Sequence, residues 1–262
     1  MKTGIQGKVV LITGASRGIG KAIAVKFASE GARLALCART EEDLMRTADE
    51  ITAQTHTEVL TVKANIAKMN DIKRFVGSAA KKFDQIDILI NNAGGAHVGG
   101  IHSTTEEEWE YHLQLKLLGY IRMAREVIPY MKAHGGRIIN IVGVASREPH
   151  PLYMVPGVTN SAILNFTKSL GKELEKDRIL VNSINPATTD TPLTEATIAA
   201  IAKIQQKPAD EVRASIIASM PQGRFIGAGE IADAALFLAS DAAAYISGTS
   251  INIDGGKSTG VW

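Results

Sequence analysis

Seven short runs rich in Val, Ile and Leu, set along the whole chain and separated by helix-like stretches, restrict the possible folds more than any other feature. They are KVVLITG (8–14), RLALCA (33–38), EVLTVKANI (58–66), IDILINNAG (86–94), RIINIVGV (137–144), ILVNSINPA (179–187) and SINIDGG (250–256). Most lack a polar alternate face, which is the pattern of strands covered on both sides. Between them apolar residues return at helical spacing, as at Ile72, Phe75, Val76, Ala79 and Phe83. TEED (40–43) and TEEE (105–108) are predicted capping boxes. Strands alternating with helices predict an α/β fold with a doubly wound parallel sheet, and the 262 residues read as one domain. One long departure, 188–223, is rich in Ala, Ile, Lys and Gln and bounded by Pro192 and Pro221. It is predicted to be either a lid of two short helices or an ordinary surface excursion.

Composition narrows the function by exclusion. Lys and Arg are interspersed with Asp and Glu at a net charge of +2, so no basic stripe for nucleic acid stands out. No apolar run reaches the length of a membrane span. A single cysteine, Cys37, excludes an internal disulfide, and the first residues do not read as a secretory signal, so a cytoplasmic location is expected. The histidines are scattered without ligand spacing, so no metal is expected. No strand–turn–helix GxSxG argues for a serine hydrolase.

Open parallel sheets bind ligands beyond the carboxyl ends of their strands. The first such end is TGASRGIG (13–20), where Gly14, Ser16, Arg17, Gly18, Ile19 and Gly20 lie between a strand and a helix. That context lets backbone approach a pyrophosphate at the helix N-terminus. The second strand ends CART (37–40), with Arg39 where an acidic side chain would take a ribose 2′-hydroxyl. Arg39 with Arg17 suits a 2′-phosphate, favouring NADP(H) over NAD(H); two surface arginines with no ligand are the alternative.

TGASRGIG, NNAG (91–94), the NP of Asn185 and Pro186 with Thr191 shortly after, and the closing DGG (254–256) together resemble a short-chain dehydrogenase/reductase. The resemblance covers the whole chain in order. It implies a Rossmann-like three-layer α/β/α subunit of about seven strands, a homotetramer or homodimer, acting on a small-molecule substrate. It further implies that Asn65, Ile66, Asn92, Ala93, Gly94, Pro186, Thr189 and Thr191 join the glycine-rich turn in holding the cofactor. Asn65 stands where the family usually has an aspartate near the adenine, and its amide still hydrogen-bonds. Ile198, Ile201, Ile204 and Ile216 of the excursion suggest an apolar substrate surface, or cover for the subunit's own core.

The catalytic positions depart from the family. SAILNFTKSLGKEL (161–174) fixes the register of the helix that usually carries Tyr and Lys. By that register the Lys position is Asn160, the Tyr position Pro156 and the Ser position Gly143, while the usual Asn position is Lys116. Lys116 falls inside the apolar stripe of a helix predicted over 106–131, where a bare ammonium is costly. Either Lys116 and Asn160 have exchanged roles across the pocket, or Lys116 packs its stem and extends its ammonium to the cavity mouth. Tyr153, His97, His150 and, less so, Ser146 are further candidate donors. Three readings remain: an NADP(H)-dependent oxidoreductase acting on a carbonyl or alcohol with a rebuilt site; a lyase or aldol-type enzyme using Lys116; and a catalytically silent NADP-binding sensor or partner subunit.

Overall fold

The computed structural model describes residues 3–95 and 97–259. Its strands are β1 (Val9–Thr13), β2 (Arg33–Ala38), β3 (Val59–Lys63), β4 (Ile88–Asn91), β5 (Gly136–Ile141), β6 (Ile179–Pro186) and β7 (Ser250–Ile253). They form one parallel sheet in the order β3-β2-β1-β4-β5-β6-β7. The helices are α1 (Gly18–Ser29), α2 (Glu41–Thr55), α3 (Met69–Phe83), α4 (Glu106–His112), α5 (Leu118–Met131), α6 (Met154–Glu173), α7 (Pro192–Gln205), α8 (Ala209–Ala218) and α9 (Ala228–Ala239).

The strand alternation explains the absence of a polar face. Val10 and Ile12 of β1 join a core with Ile23 and Phe27 of α1 and Ile231 and Ala235 of α9. Val9 and Leu11 enter a second core, with Phe75 of α3, Tyr120 and Met123 of α5 and Ile163 of α6. Successive side chains thus go to opposite layers, and both layers are apolar. The chain order reverses at β1, which pairs β2 on one side and β4 on the other. The crevice beyond these two carboxyl ends is where such a sheet takes its ligand.

Three local expectations meet the structure differently. The capping box at 105–108 forms: Thr105 N donates to Glu108 Oε2 at 2.9 Å, and Glu108 N to Thr105 Oγ1 at 3.3 Å. The one expected at 40–43 does not, because Thr40 is the N-cap of α2 but makes no side-chain cap bond. Glu41, Glu42 and Asp43 there instead put negative charge against the helix N-terminus. The helix expected over 106–131 is interrupted by a π-helical turn, Leu113–Leu117, between α4 and α5. Its extra residue changes the register in which the two halves face the sheet. Beyond it α5 lies close on the chain after β3, where a Cβ on Gly119 would meet Ile66 O at 3.2 Å.

The excursion at 188–223 holds two helices, α7 and α8. Ile198, Ala202, Val212 and Phe225 give it a small core of its own. Arg213 pairs with Glu195 across it, and its ends are joined by a bridge between Thr189 and Ile226.

Candidate active site

The turn after β1 is built for close backbone approach. Gly14 has φ +67°, and a Cβ there would lie 2.8 Å from Ala93 Cα. A Cβ on Gly20 would sit 2.2 Å from Gly14 O, so α1 reaches this depth only with glycine at that position. Gly18 has φ +57° and faces Thr191, whose Cγ2 would be 3.3 Å from an added Cβ. Thr191 N-caps α7, so that helix begins against the glycine-rich turn. Arg17, the N-cap of α1, makes no side-chain cap bond, and the first turn carries no acid. Backbone N–H groups there are donors suited to an anion.

The turn is tied to the end of β4 by groups the sequence reading assigned otherwise or missed. Asn92 Nδ2 donates to Thr13 O and to Gly14 O, both at 3.0 Å. Thr13 Oγ1 accepts from Asn92 N at 2.9 Å and from Ala93 N at 3.0 Å. The side-chain amide of Asn92 therefore shapes the turn. Thr13 opens the TGASRGIG run but is not among the residues expected to hold the cofactor. At the rim, Asn65 Oδ1 accepts from Ala67 N at 3.1 Å, so its remaining capacity is the NH2, while Ile66 is buried. Arg17 and Arg39 are both exposed, and Arg39 Nη1 donates to Tyr111 Oη at 2.6 Å. On the other side, Thr189 Oγ1 donates to Ala187 O at 3.1 Å, just past Pro186.

Beyond β5 the structure brings Lys116 and Asn160 together. Lys116 Nζ donates to Asn160 Oδ1 and to Val142 O, each at 2.7 Å. Lys116 sits in the π-helical turn and Asn160 is buried on α6. The Lys116 ammonium therefore has specific partners and is more than a stem packed below an open mouth. A Cβ on Gly94 would lie 3.6 Å from Lys116 Cδ, which sets the end of the NNAG segment against the lysine stem. Gly143, at φ +133°, completes the group: a Cβ there would approach Asn160 Nδ2 to 3.1 Å. The amide of Asn160 thus crowds the place where a side chain at 143 would begin. Burial lowers the Lys116 ammonium to about 8. Because the residue keeps partial exposure, its stability effect is discounted from that full shift.

Pro156 lies in the first turn of α6, where a missing N–H costs little, and is buried without a polar group to offer. Tyr153 N-caps the same helix, and burial pushes its phenol up. His97 Nε2 is 3.1 Å from Thr104 Oγ1, and its Nδ1 is 3.7 Å from Glu108 Oε1. His112, buried one turn before Lys116, has its imidazole pushed down by burial, then by His97 and Lys116, against an opposing effect of Glu108. His150 Nδ1 accepts from Leu152 N at 3.2 Å, and Ser146 Oγ donates to Gly143 O at 2.8 Å. Among the described residues no group of His, Cys, Asp and Glu is placed to hold a metal ion. Among the described residues, no helix is long and apolar enough to cross a membrane.

A seven-stranded parallel sheet with a glycine-rich turn at its switch point, a stapled β4 end and a polar cluster beyond β5 defines a Rossmann-like dinucleotide fold. The chain belongs to the short-chain dehydrogenase/reductase family of oxidoreductases: residues 14–258 match the family model described as enoyl-(acyl carrier protein) reductase. It is 34% identical to the 3-oxoacyl-[acyl-carrier-protein] reductase of Thermotoga maritima, over 96% of this chain and 98% of that one. Among solved structures it resembles L-sorbose reductase from Gluconobacter frateurii complexed with NADPH and L-sorbose, at TM-score 0.94, 34% identity and 100% of both chains. It also resembles the 3-ketoacyl-(acyl-carrier-protein) reductase from Brucella melitensis complexed with NADH, at TM-score 0.85 and 31% identity over 97% of this chain and 99% of that one.

Proposed function

We propose that this chain is an NADP(H)-dependent oxidoreductase that interconverts a carbonyl and an alcohol on a small molecule, with Lys116 handling the proton that a tyrosine handles elsewhere in the family. The observation that carries the reading is the Lys116 ammonium held by Val142 O and Asn160 Oδ1 at 2.7 Å each. An ammonium has three N–H donors. Two are engaged, and the third is left for a substrate oxygen. The relatives include one solved with NADPH and one with NADH, so the cofactor preference rests on this chain's own residues. Arg39, where β2 ends without an acid, and Arg17 favour the 2′-phosphate.

The fit to a dinucleotide lies in the residues themselves: Gly14, Gly18 and Gly20 leave the space and the α1 N–H groups supply donors, and Ser16, Ile19, Asn65, Ile66, Ala93, Gly94, Pro186, Thr189 and Thr191 are assigned to the same site. When bound, the reduced nicotinamide supplies a hydride. Lys116 stabilises negative charge as it develops on the substrate oxygen and delivers a proton to it, leaving a neutral amine. A value near 8 suits that task at neutral pH, because the ammonium is charged yet gives up its proton readily. Asn160 accepts from the ammonium and fixes its position, and Pro156 seats the helix that carries Asn160. Tyr153, the N-cap of α6, is bridged to Gly99 and is assigned to the substrate side of the crevice. The apolar lid faces suit a partly apolar substrate, and a homodimer or homotetramer is the expected assembly.

The test pairs binding with turnover. Calorimetric titration should show NADPH binding more tightly than NADH, and NADPH oxidation should respond to a carbonyl panel that includes ethyl acetoacetate and L-sorbose. Lys116→Met should keep NADPH affinity while kcat falls about a hundredfold or more. Turnover equal to wild type in that variant refutes the role of Lys116, and no binding of either nucleotide refutes the oxidoreductase reading.

A further inference from the structure

We propose that Tyr111 completes a two-residue clamp on the cofactor's 2′-phosphate, holding Arg39 by a hydrogen bond and offering its own O–H to the phosphate. The inference rests on the NADP(H) reading above and deepens it. Arg39 immediately follows the last residue of β2, and Tyr111 lies in the last turn of α4. The bond between them, Arg39 Nη1 to Tyr111 Oη at 2.6 Å, spans a sequence separation of 72 residues.

Several physical points favour a ligand role. Tyr111 is 40% exposed, so burial of its ring does not by itself account for its place. A phenol that accepts from a guanidinium keeps its own hydrogen for an anion, and the positive charge beside it strengthens that donation. Arg39 retains its other N–H donors, in the planar fork that fits phosphate oxygens. A long exposed arginine otherwise samples many rotamers; holding it from a second element before the ligand arrives reduces what must be ordered on binding. Tyr111 is itself steadied by the edge-to-face contact of its ring with His112, at 5.7 Å between centroids and an interplanar angle of 85°.

The experiment is calorimetric titration of the full chain with NADPH and with NADH, for wild type, Tyr111→Phe, Arg39→Ala and the double variant. Tyr111→Phe should weaken NADPH by about three- to tenfold, the size of one hydrogen bond at an exposed site, and leave NADH unchanged. In the Arg39→Ala background the same change should have a smaller effect, because the two residues act together. Tyr111→Leu, which also removes the ring, should lower the NADPH preference no further than Phe does. A preference unchanged in Tyr111→Phe, or equal weakening of both nucleotides, overturns the clamp. Wild-type protein without a preference for NADPH defeats the cofactor reading and the clamp together. A wild-type preference lost in Arg39→Ala but kept in Tyr111→Phe defeats the clamp alone.

Discussion

Lys116 has a charge set in partial burial, and the sign of its effect on stability follows from linkage. An unfolded lysine holds its proton to about 10.5, whereas the folded one releases it near 8, so between these values the unfolded chain binds more protons. Stability contributed at this position therefore rises with pH across that window. Relative to Lys116→Met, the wild type should gain about 1–3 kcal/mol between about pH 7 and pH 10, a figure reduced for the partial exposure. Chemical denaturation at the two pH values measures it, and a difference that stays flat would mean a fully solvated ammonium. The same titration removes the proposed proton donor, so carbonyl reduction should decline above about pH 8 in wild type. Much at this scale was readable in advance. Spacing alone put Lys116 among apolar residues, and family register put Asn160 opposite it. The Arg39–Tyr111 bond was not readable, since a contact across 72 residues leaves no local periodic trace.

At the level of elements, two threonines in near-identical contexts behave differently. TEEE closes a reciprocal box at α4, while TEED leaves Thr40 without its bond. Thr105→Ala should cost about 1 kcal/mol and Thr40→Ala clearly less, which urea unfolding of the two variants would compare. Equal losses would show that both hydroxyls act alike in solution. The pattern S/T-x-x-E/D states which groups are available, but side-chain rotamers and the entry path of the chain decide whether they meet. The π-helical turn was hidden for a related reason. The extra residue shifts the helical phase by one position, but Leu113, Leu115, Leu117 and Leu118 around it keep an apolar residue in either register, so 106–131 still reads as a single helix. Strands were easier: runs buried on both sides carry the same message at every residue, and each of the seven was found, with ends trimmed by a few residues.

For the molecule as a whole, one sheet separates two apolar layers. Phe27 is buried in the first and Phe75 in the second. Because every strand of the centre contributes to both, Phe27→Ala and Phe75→Ala should each cost about 3–5 kcal/mol and each still give a single unfolding transition. Fluorescence and far-UV circular dichroism followed through the same denaturant series would test it; non-coincident curves would mean that the layers unfold separately. The fold class was legible at this scale because alternation of strand and helix leaves few topologies. The two helices of the excursion were legible from its length and bounding prolines, but its small core was not, because that depends on contacts among its own helices. That self-sufficiency makes the segment separable from the sheet. With Thr189 and Ile226 bridged, residues 190–225 form a cassette whose two ends are already neighbours. With its ends held together and a core of its own, that cassette can be lengthened or redecorated without disturbing the sheet that carries the glycine-rich turn and the lysine–asparagine pair.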